Sequence, residues 1–559
     1  MAITPFLSAE RIRSCTESGF WQNRTIVDYL DLHADRHPEQ VAVVDHNSQT
    51  GLRTVLSYRQ LRNRVNRMAL GFSRLGVGPG DVISCQLPNW WEFLAIHLAA
   101  VRIGAVTNPL MPIFRHREIE YMMGFAGTKV AIVPRQFRGF DYPAMMAEVR
   151  GNLPELREVL VVGGPAAPDS FERALLEPRW EDELDAAALF AARRMDPNAV
   201  VQVMYTSGTT GAPKGVMHTA NTLLSCIQTF IDAYHLSGDD NILMGSPLAH
   251  QTGFLIGVLL PLCLGAKVVY LDVWNADQAL RLVQDEGISF TMGATPFVAD
   301  MAHSPVAARC DTSSLRMFVT GGAPIPRVVA EAARATLGCA VYGVYGMTET
   351  LLATLCVPED PQDKVYATDG APRAGAEVRL VDGAGQPVPV GEEGQVQVRG
   401  VYNCCGYLKR EDLTRETISA DGWLDTGDLA RMDADGYIRI SGRSKDIIIR
   451  GGENVPVVEV ENLVYQHPAI QDAALVGMPD PRMGERGCLY VTLVPGHSFD
   501  MDELRRYLDQ QRMARQYWPE RLEIREELPR TPSGKIQKFK LREEAKLFGE
   551  TGAGLSFNS

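Results

Sequence analysis

The apolar run Ala199-Val200-Val201-Gln202-Val203-Met204 leads directly into Tyr205-Thr206-Ser207-Gly208-Thr209-Thr210-Gly211-Ala212-Pro213-Lys214-Gly215. The first run reads as a buried strand. The second supplies three Gly, four Ser/Thr hydroxyls and one Lys. Small residues let a backbone approach a phosphate closely, hydroxyls and amides donate hydrogen bonds to its oxygens, and Lys adds charge. The run is not a Walker loop, which needs Gly-Lys-Ser/Thr, because Lys214 stands between Pro213 and Gly215. A Ser/Thr/Gly linker is the plainer reading of such a composition. The flanks show no low complexity and the run ends in Pro-Lys-Gly, so a structured loop at a strand end is expected.

Strand-like and helix-like segments alternate around it. Ser57 and Gln60 form a capping-box pair that opens a helix to about Leu75. Val82 to Gln86 reads as a short strand, and Pro88-Asn89 introduces an amphipathic segment, Trp90 to Ile103, closed by Gly104. The rhythm recurs at Lys267-Val268-Val269-Tyr270 and Ile288-Ser289-Phe290-Thr291-Met292. This βαβ grammar predicts an α/β fold, parallel sheets covered by helices, with ligands at the carboxyl ends of the strands. After about residue 375 the texture changes to short alternating strands with Gly turns, Glu377 to Gly383 and Gly394 to Gly400, which suggests a small β subdomain. From Asp446 a helix (Val457 to His467), a strand (Ala473 to Val476), a helix (Met501 to Gln510) and a strand (Leu522 to Leu528) suffice for a separate α+β unit.

Composition narrows the partners. The net charge of -13 argues against nucleic acid, whose phosphates need a basic surface. The ten Cys include no C-x-x-C pair, which excludes a zinc or disulfide framework and suits reduced thiols in the cytoplasm. The N-terminus lacks the apolar segment of a signal peptide, and the longest apolar stretch, Gly253 to Ala266, is too short to span a bilayer and contains Pro261.

Further short segments stand out, each with a bland alternative. In Tyr345-Gly346-Met347-Thr348-Glu349, an aromatic face, a hydroxyl and a carboxylate lie close together, although Thr348 as a helix cap is the ordinary reading. Gly321-Gly322-Ala323-Pro324 ends the strand Met317-Phe318-Val319 and on its own is a Gly turn. Thr426-Gly427-Asp428 is a weak signal alone, and the exposed cations of Gly442-Arg443-Ser444-Lys445-Asp446 would normally be solvated. Pro529-Arg530-Thr531-Pro532-Ser533-Gly534-Lys535 puts a cation on a small-residue loop near the end of the chain. Pro247-Leu248-Ala249-His250-Gln251-Thr252-Gly253-Phe254 carries a lone His, as often a structural donor as a ligand.

In this order the segments resemble the motifs of the adenylate-forming superfamily, which includes acyl-CoA synthetases, aryl-CoA ligases, luciferases and peptide-synthetase adenylation domains. The resemblance covers nearly the whole chain. It implies a large N-terminal domain of layered sheets and helices (residues 1–443, β subdomain about 375–443), a small mobile α+β domain (446–559) and a hinge at Lys445. It assigns Thr206, Ser207, Gly208, Thr209, Thr210, Gly211, Lys214, Gly322, Ala323, Pro324, Tyr345, Gly346 and Met347 to ATP or AMP, with Asp428 and Arg443 at the ribose. A carboxylate suits a ribose diol because it only accepts hydrogen bonds and takes two donors. Thr348 would donate to the α-phosphate, Glu349 would hold Mg²⁺, and Lys535 would bridge the acid's carboxylate and the α-phosphate.

An apolar acyl slot is expected from His250, Gln251, Gly253, Gly293, Gly321 and Leu351, with volume left open by Gly253. Nothing among them calls for an amino group or a second carboxylate. Dihydroxybenzoate-adenylating relatives carry Asn after the corresponding His, and Gln251 departs from them. Gly451, Gly452 and Glu453 would border a CoA channel. The expected activity is ATP- and Mg²⁺-dependent ligation of a carboxylic acid to CoA through an acyl-adenylate, closest in appearance to cyclohexanecarboxylate or short-to-medium-chain fatty-acid ligases. Loading of an aryl or acyl group onto a carrier protein and a non-catalytic nucleotide-binding regulator are the alternatives.

Overall fold

The computed structural model describes residues 3–164, 169–206, 213–321, 327–443, 448–450, 453–480, 482–511, 513, 515–531 and 534–550. Two large sheets dominate it. One runs, in spatial order, Thr354–Leu355, Ala340–Tyr345, Met317–Gly321, Phe290–Gly293, Asn241–Met244, Lys267–Leu271, Val41–His46 and Arg53–Ser57, parallel except for the strand at each edge. The other runs Lys214–Thr219, Val200–Thr206, Val106–Pro109, Val82–Cys85, Thr128–Pro134 and Glu158–Val162, parallel except for the antiparallel pair Val200–Thr206 and Lys214–Thr219. Parallel strands are covered on both faces, so their sequences are apolar throughout rather than alternating. Phe290–Gly293 and Val82–Cys85 are buried at every position.

The helix Tyr58–Arg74 starts where its capping box requires: Ser57 Oγ accepts from Gln60 N (3.3 Å) and Gln60 Oε1 from Ser57 N (3.0 Å). The expected amphipathic segment is the helix Trp91–Arg102, but it is apolar nearly all round, with every residue from Phe93 to Val101 buried. Its position explains the difference. It touches Val41–His46 of one large sheet and Val82–Cys85 and Val106–Pro109 of the other, so it has no solvent face. Each fully buried apolar side chain on it contributes roughly 1.5–3 kcal/mol.

Two smaller sheets follow in the chain. Ala376–Val381, Glu393–Gly400, Leu424–Met432 and Ile438–Arg443 form an antiparallel four-stranded sheet around Leu380, Val396, Val398, Ala430 and Ile438. The chain then passes to a five-stranded sheet between Arg443 and Ile448. That sheet combines Ile448–Arg450, Glu453–Val455, Ile470–Asp480, Gly484–Leu493 and Arg521–Ile524, with the helices Val457–Tyr465, Met501–Gln510 and Lys538–Glu550. The strand expected at Ala473 to Val476 extends over Ile470–Asp480, because it pairs along nearly all of Gly484–Leu493. The strand expected to reach Leu528 ends at Ile524, beyond which it has no neighbour in register. Lys445 lies outside the described residues. Among the described residues no helix is long and apolar enough to cross a membrane.

At the carboxyl ends of Val41–His46 and Lys267–Leu271 a cluster of acids is enclosed. Asp45 Oδ2 accepts from Trp91 N (3.0 Å), and Trp90 Nε1 donates to Asp272 Oδ2 (2.8 Å). Burial, reinforced by the nearby charge of Asp272, pushes the Asp45 carboxyl up to about 7 against its ordinary 3.8. Burial and then Asp45 push Glu92 up to about 8, opposed by Arg64. The folded chain therefore keeps a proton on Asp45 in a window where the unfolded chain has released it. Stability from this group is full below pH about 4, declines as pH rises, and is gone above about 7. Asp45→Asn, which still accepts from Trp91 N, is expected to flatten that decline. The variant should gain roughly 1–3 kcal/mol relative to the parent between about pH 5 and about pH 8. Paired denaturant titrations at the two pH values measure it, and an equal difference at both rejects the assignment.

Candidate active site

Four neighbouring parallel strands bring their carboxyl ends into one row. Asn241–Met244 leads into the loop that carries His250; Phe290–Gly293 ends at Gly293; Met317–Gly321 ends at Gly321; Ala340–Tyr345 ends at Tyr345. Segments far apart in sequence thus meet along one edge, the place where an open parallel sheet takes ligands.

Close backbone approach accounts for the glycines in this row. A Cβ on Gly321 would lie 2.6 Å from Val344 O, and one on Gly346 would lie 2.3 Å from Leu351 O. Leu351 itself is held at φ +55, with its N–H on Met347 O (2.7 Å). Residues 346–350 make a turn rather than the start of a helix, and the hydroxyl that serves it is Thr350, which accepts from Met347 N (3.2 Å). Thr348 is therefore not a cap. Gly253 departs from the expectation of open volume. A Cβ there would lie 2.1 Å from Pro247 O and 2.8 Å from Ser246 O, so the backbone of its own loop, not the acyl slot, demands the glycine.

The strand end Thr206 and Lys214 are direct partners across an antiparallel pair, which pins both ends of the intervening loop. Lys214 Nζ sits 5.2 Å from the centre of the Tyr407 ring, and Tyr407 Oη donates to Glu349 Oε1 (3.0 Å). Glu349 is only 4% exposed. Burial and the Glu349 charge raise the Tyr407 hydroxyl well above its usual range, so it stays a donor. His218, which faces this region from Lys214–Thr219, has its Nε2 2.8 Å from Thr348 O. Burial pulls its pKa down to about 4, so the ring is neutral and Nε2 carries the donated proton. Tyr407 and His218 escaped the sequence reading because no motif surrounds them; their roles arise from pairing with distant strands.

On the other side of Tyr345, its hydroxyl donates to Asp428 Oδ2 (2.7 Å), and Asp428 is 5% exposed. Asp428 and Arg443 are direct partners across two antiparallel strands.

Lys535 arrives from the five-stranded unit on a tight loop. Thr531 N donates to Lys535 O (2.7 Å), Lys535 N to Thr531 Oγ1 (3.0 Å), and Arg530, paired with Asp472, donates to Gly534 O (2.5 Å). Gly534, at φ +87, rests against Ala294 and Phe297, immediately after Gly293. Lys535 is close enough to His250 for its charge to act there: burial first, then Lys535, lower the His250 pKa to about 3. The imidazole is therefore neutral, with the Lys535 charge within electrostatic range of it.

Gln251 follows, 5% exposed, with neither amide atom meeting a protein partner. Ser207, Gly208, Thr209, Thr210, Gly211, Gly322, Ala323, Pro324, Gly451 and Gly452 lie outside the described residues, as do the side chains of Arg443 and Glu453.

The donor chemistry suits a hard cation of the magnesium type. Glu349 is a buried carboxylate that accepts from the Tyr407 hydroxyl, with Lys214 over the ring of that tyrosine, and Mg²⁺ is held by one or two carboxylates with waters and phosphate oxygens rather than by an all-protein cage. Among the described residues no cluster of three or more His, Cys, Asp or Glu could hold a metal ion.

Residues 30–408 match the AMP-binding enzyme family, and residues 459–535 match the AMP-binding enzyme C-terminal domain. The chain is 36% identical to a medium-chain fatty-acid–CoA ligase of Escherichia coli (strain K12), over 97% of this chain and 94% of that protein. It is 34% identical to a salicylyl-CoA synthase / salicylate adenylyltransferase of a Streptomyces species, over 96% of each. Among solved structures, an anthranilate CoA ligase in complex with anthranoyl-AMP superposes with a TM-score of 0.83 at 26% identity, covering 94% of this chain and 98% of that one.

Gly346→Ala tests how far the turn depends on close approach. The new methyl must displace the Leu351 backbone, at a cost of roughly 1–3 kcal/mol. A lowered thermal midpoint together with at least tenfold slower acid-dependent ATP–pyrophosphate exchange is expected. Unchanged exchange would show that the turn tolerates the shift.

Proposed function

The chain belongs to the AMP-binding enzyme family, and we propose that it joins a carboxylic acid to coenzyme A with ATP, by way of an acyl-adenylate. The observation that carries the reading is the placement of the Lys535 loop, through Gly534 against Ala294 and Phe297, at the row of strand ends that leads to Tyr345 and Glu349, with Asp428 held by the Tyr345 hydroxyl. In the first step a carboxylate oxygen of the acid attacks the α-phosphorus, forming the acyl–phosphate mixed anhydride as the bond to pyrophosphate breaks. Lys535 offsets the repulsion between the two anions and stabilises charge on the phosphoryl oxygens. The neutral His250 borders the carboxylate without competing for it as a second cation. Asp428 takes the ribose hydroxyls, with Tyr345 orienting it and Arg443 opposite, while Lys214 and the loop before it face the phosphates. Glu349 would hold Mg²⁺, which when bound supplies positive charge to the phosphate oxygens; Tyr407 fixes the carboxylate for that task. In the second step a thiolate attacks the acyl carbon and AMP leaves.

The small C-terminal unit is proposed to turn at Lys445 between the steps, withdrawing Lys535 and presenting Gly451, Gly452 and Glu453 to the thiol. Ten cysteines without a disulfide fit a reducing cytoplasm. For the acid, an uncharged alicyclic or short-to-medium acyl body is favoured by the fatty-acid relative. An aryl acid, passed to CoA or to a carrier protein, is the second reading, favoured by the salicylate and anthranilate ligases. A non-catalytic regulator would have no use for Lys535 on a loop seated against Ala294 and Phe297.

Two measurements test the proposal. Lys535→Ala should slow adenylation on the order of 10²-fold or more, yet still convert supplied acyl-AMP to acyl-CoA. Equal losses in both half-reactions would refute the division of labour. Across a homologous series of acids, kcat/KM should rise by about 0.8 kcal/mol per added CH₂ and then fall at a steric limit. A preference for amino or dicarboxylic acids would refute the apolar slot.

A further inference from the structure

The N-terminal segment is fastened to the backbone that stands behind Glu349. Its helix Ala9–Glu17 is capped by Ser8 and sets the half-buried Arg11 against the turn that follows the strand Glu393–Gly400. Arg11 Nη2 donates to Asn403 O (2.6 Å) and Nη1 to Cys404 O (3.3 Å). Trp21 Nε1 donates to Val401 O (2.9 Å), and Phe6 N to Cys405 O (2.8 Å). The Phe6 ring closes the far side: a Cβ on Gly406, held at φ +102, would lie 2.6 Å from Phe6 Cδ2.

The other ends of the same peptide groups face the site. The peptide joining Asn403 to Cys404 has its oxygen on Arg11 and its N–H on Glu349 O (2.7 Å). The next one, joining Cys404 to Cys405, has its oxygen on Arg11 and its N–H on Met217 O (2.9 Å). A carbonyl that accepts from a cation polarises its amide, and the N–H opposite becomes a stronger donor. Two consecutive peptides thus carry the pull of one guanidinium to the main chain of Glu349 and to that of Met217, the neighbour of His218. Tyr407, three residues further on, holds the Glu349 side chain, and His218 Nε2 holds Thr348 O just before it. Asn403 and Cys404 are 3% and 0% exposed, so carbonyls deprived of Arg11 would be left largely unmet.

We infer that Arg11 is a positioning residue of the ligase: through the peptides 403–404 and 404–405 it fixes the main chain of Glu349, and with it the carboxylate that would hold Mg²⁺ on the nucleotide phosphates. This rests on the ligase reading and adds to it a residue that acts through its neighbours. The guanidinium is suited to the task because its planar fork presents two donors at fixed spacing to two successive carbonyls, whereas an ammonium is a point charge. Were Arg11 only a clasp for the N-terminus, its loss would lower stability and leave the response of the nucleotide to Mg²⁺ unchanged.

The experiment measures ATP affinity by calorimetry, in Mg²⁺ and in EDTA, for the parent, Arg11→Met and Arg11→Lys. Met keeps an apolar stem near the Trp21 ring and removes both donors. In the parent Mg²⁺ should tighten ATP, and in Arg11→Met that gain should shrink by about tenfold, the scale for removing a partner that orients a metal-holding group, with affinity in EDTA unchanged. The Mg²⁺ needed for half-maximal ATP–pyrophosphate exchange, with octanoate or 2-hydroxybenzoate as the acid, should rise by about the same factor. Arg11→Lys should fall between the two, with a loss of about twofold or more. If Arg11→Met fails to fold, Arg11→Lys decides. An unaltered Mg²⁺ gain in a folded variant, or a loss of ATP affinity equal in Mg²⁺ and in EDTA, would overturn the inference and leave the ligase reading standing. A parent with no acid-dependent exchange and no tightening of ATP by Mg²⁺ would overturn both.

Discussion

Parallel hydrogen-bonding is the constraint from which the rest of the molecule follows. Because Asn241–Met244, Phe290–Gly293, Met317–Gly321 and Ala340–Tyr345 run the same way, every connection must cross over and return, and every carboxyl end falls on one edge. The loop with His250, the glycines 293 and 321, and the segment from Tyr345 to Glu349 are neighbours for that reason alone. An antiparallel arrangement would send alternate loops to opposite ends and scatter them. The second large sheet adds Thr206 and Lys214, and the helix Trp91–Arg102 wedged between the sheets holds them in register by burying nearly its whole circumference.

Burial then decides the protonation states. His97, His218 and His250 sit where charging an imidazole is unfavourable, so all three are neutral near pH 7 and act through directed hydrogen bonds or shape. Positive charge comes instead from Lys214 and Lys535, delivered by two different units of the chain. Only the second depends on how the five-stranded unit meets the large sheets, through Gly534 against Ala294 and Phe297.

Much of the fold was legible locally. The Ser57/Gln60 capping box, the strand before the phosphate-type loop and the helix Met501–Gln510 all follow from residue pattern, since caps and periodicity act over a few residues. The helix Trp91–Arg102 misled because periodicity reports only how many faces are apolar, while the second covering sheet lies elsewhere in the chain. Gly253 misled for a related reason. Its absent side chain marks contact with the backbone of Ser246 and Pro247, and a glycine looks the same whether it makes room for a ligand or for its own main chain.

By itself the sequence determined the family and the order of the motifs, and it offered the candidates for the site: a phosphate-type loop, Glu349, Asp428 and a late lysine. These are carried by residue identity and short spacing, which survive without coordinates. Tertiary structure alone decided that Tyr407 holds Glu349, that Tyr345 holds Asp428, that His218 holds the Thr348 carbonyl and that the loop of Lys535 rests on Ala294 and Phe297. The physical reason is the same in each case. Hydrogen-bond satisfaction and desolvation depend on which atoms are within about 3 Å, and for these residues those atoms come from strands tens to hundreds of positions away.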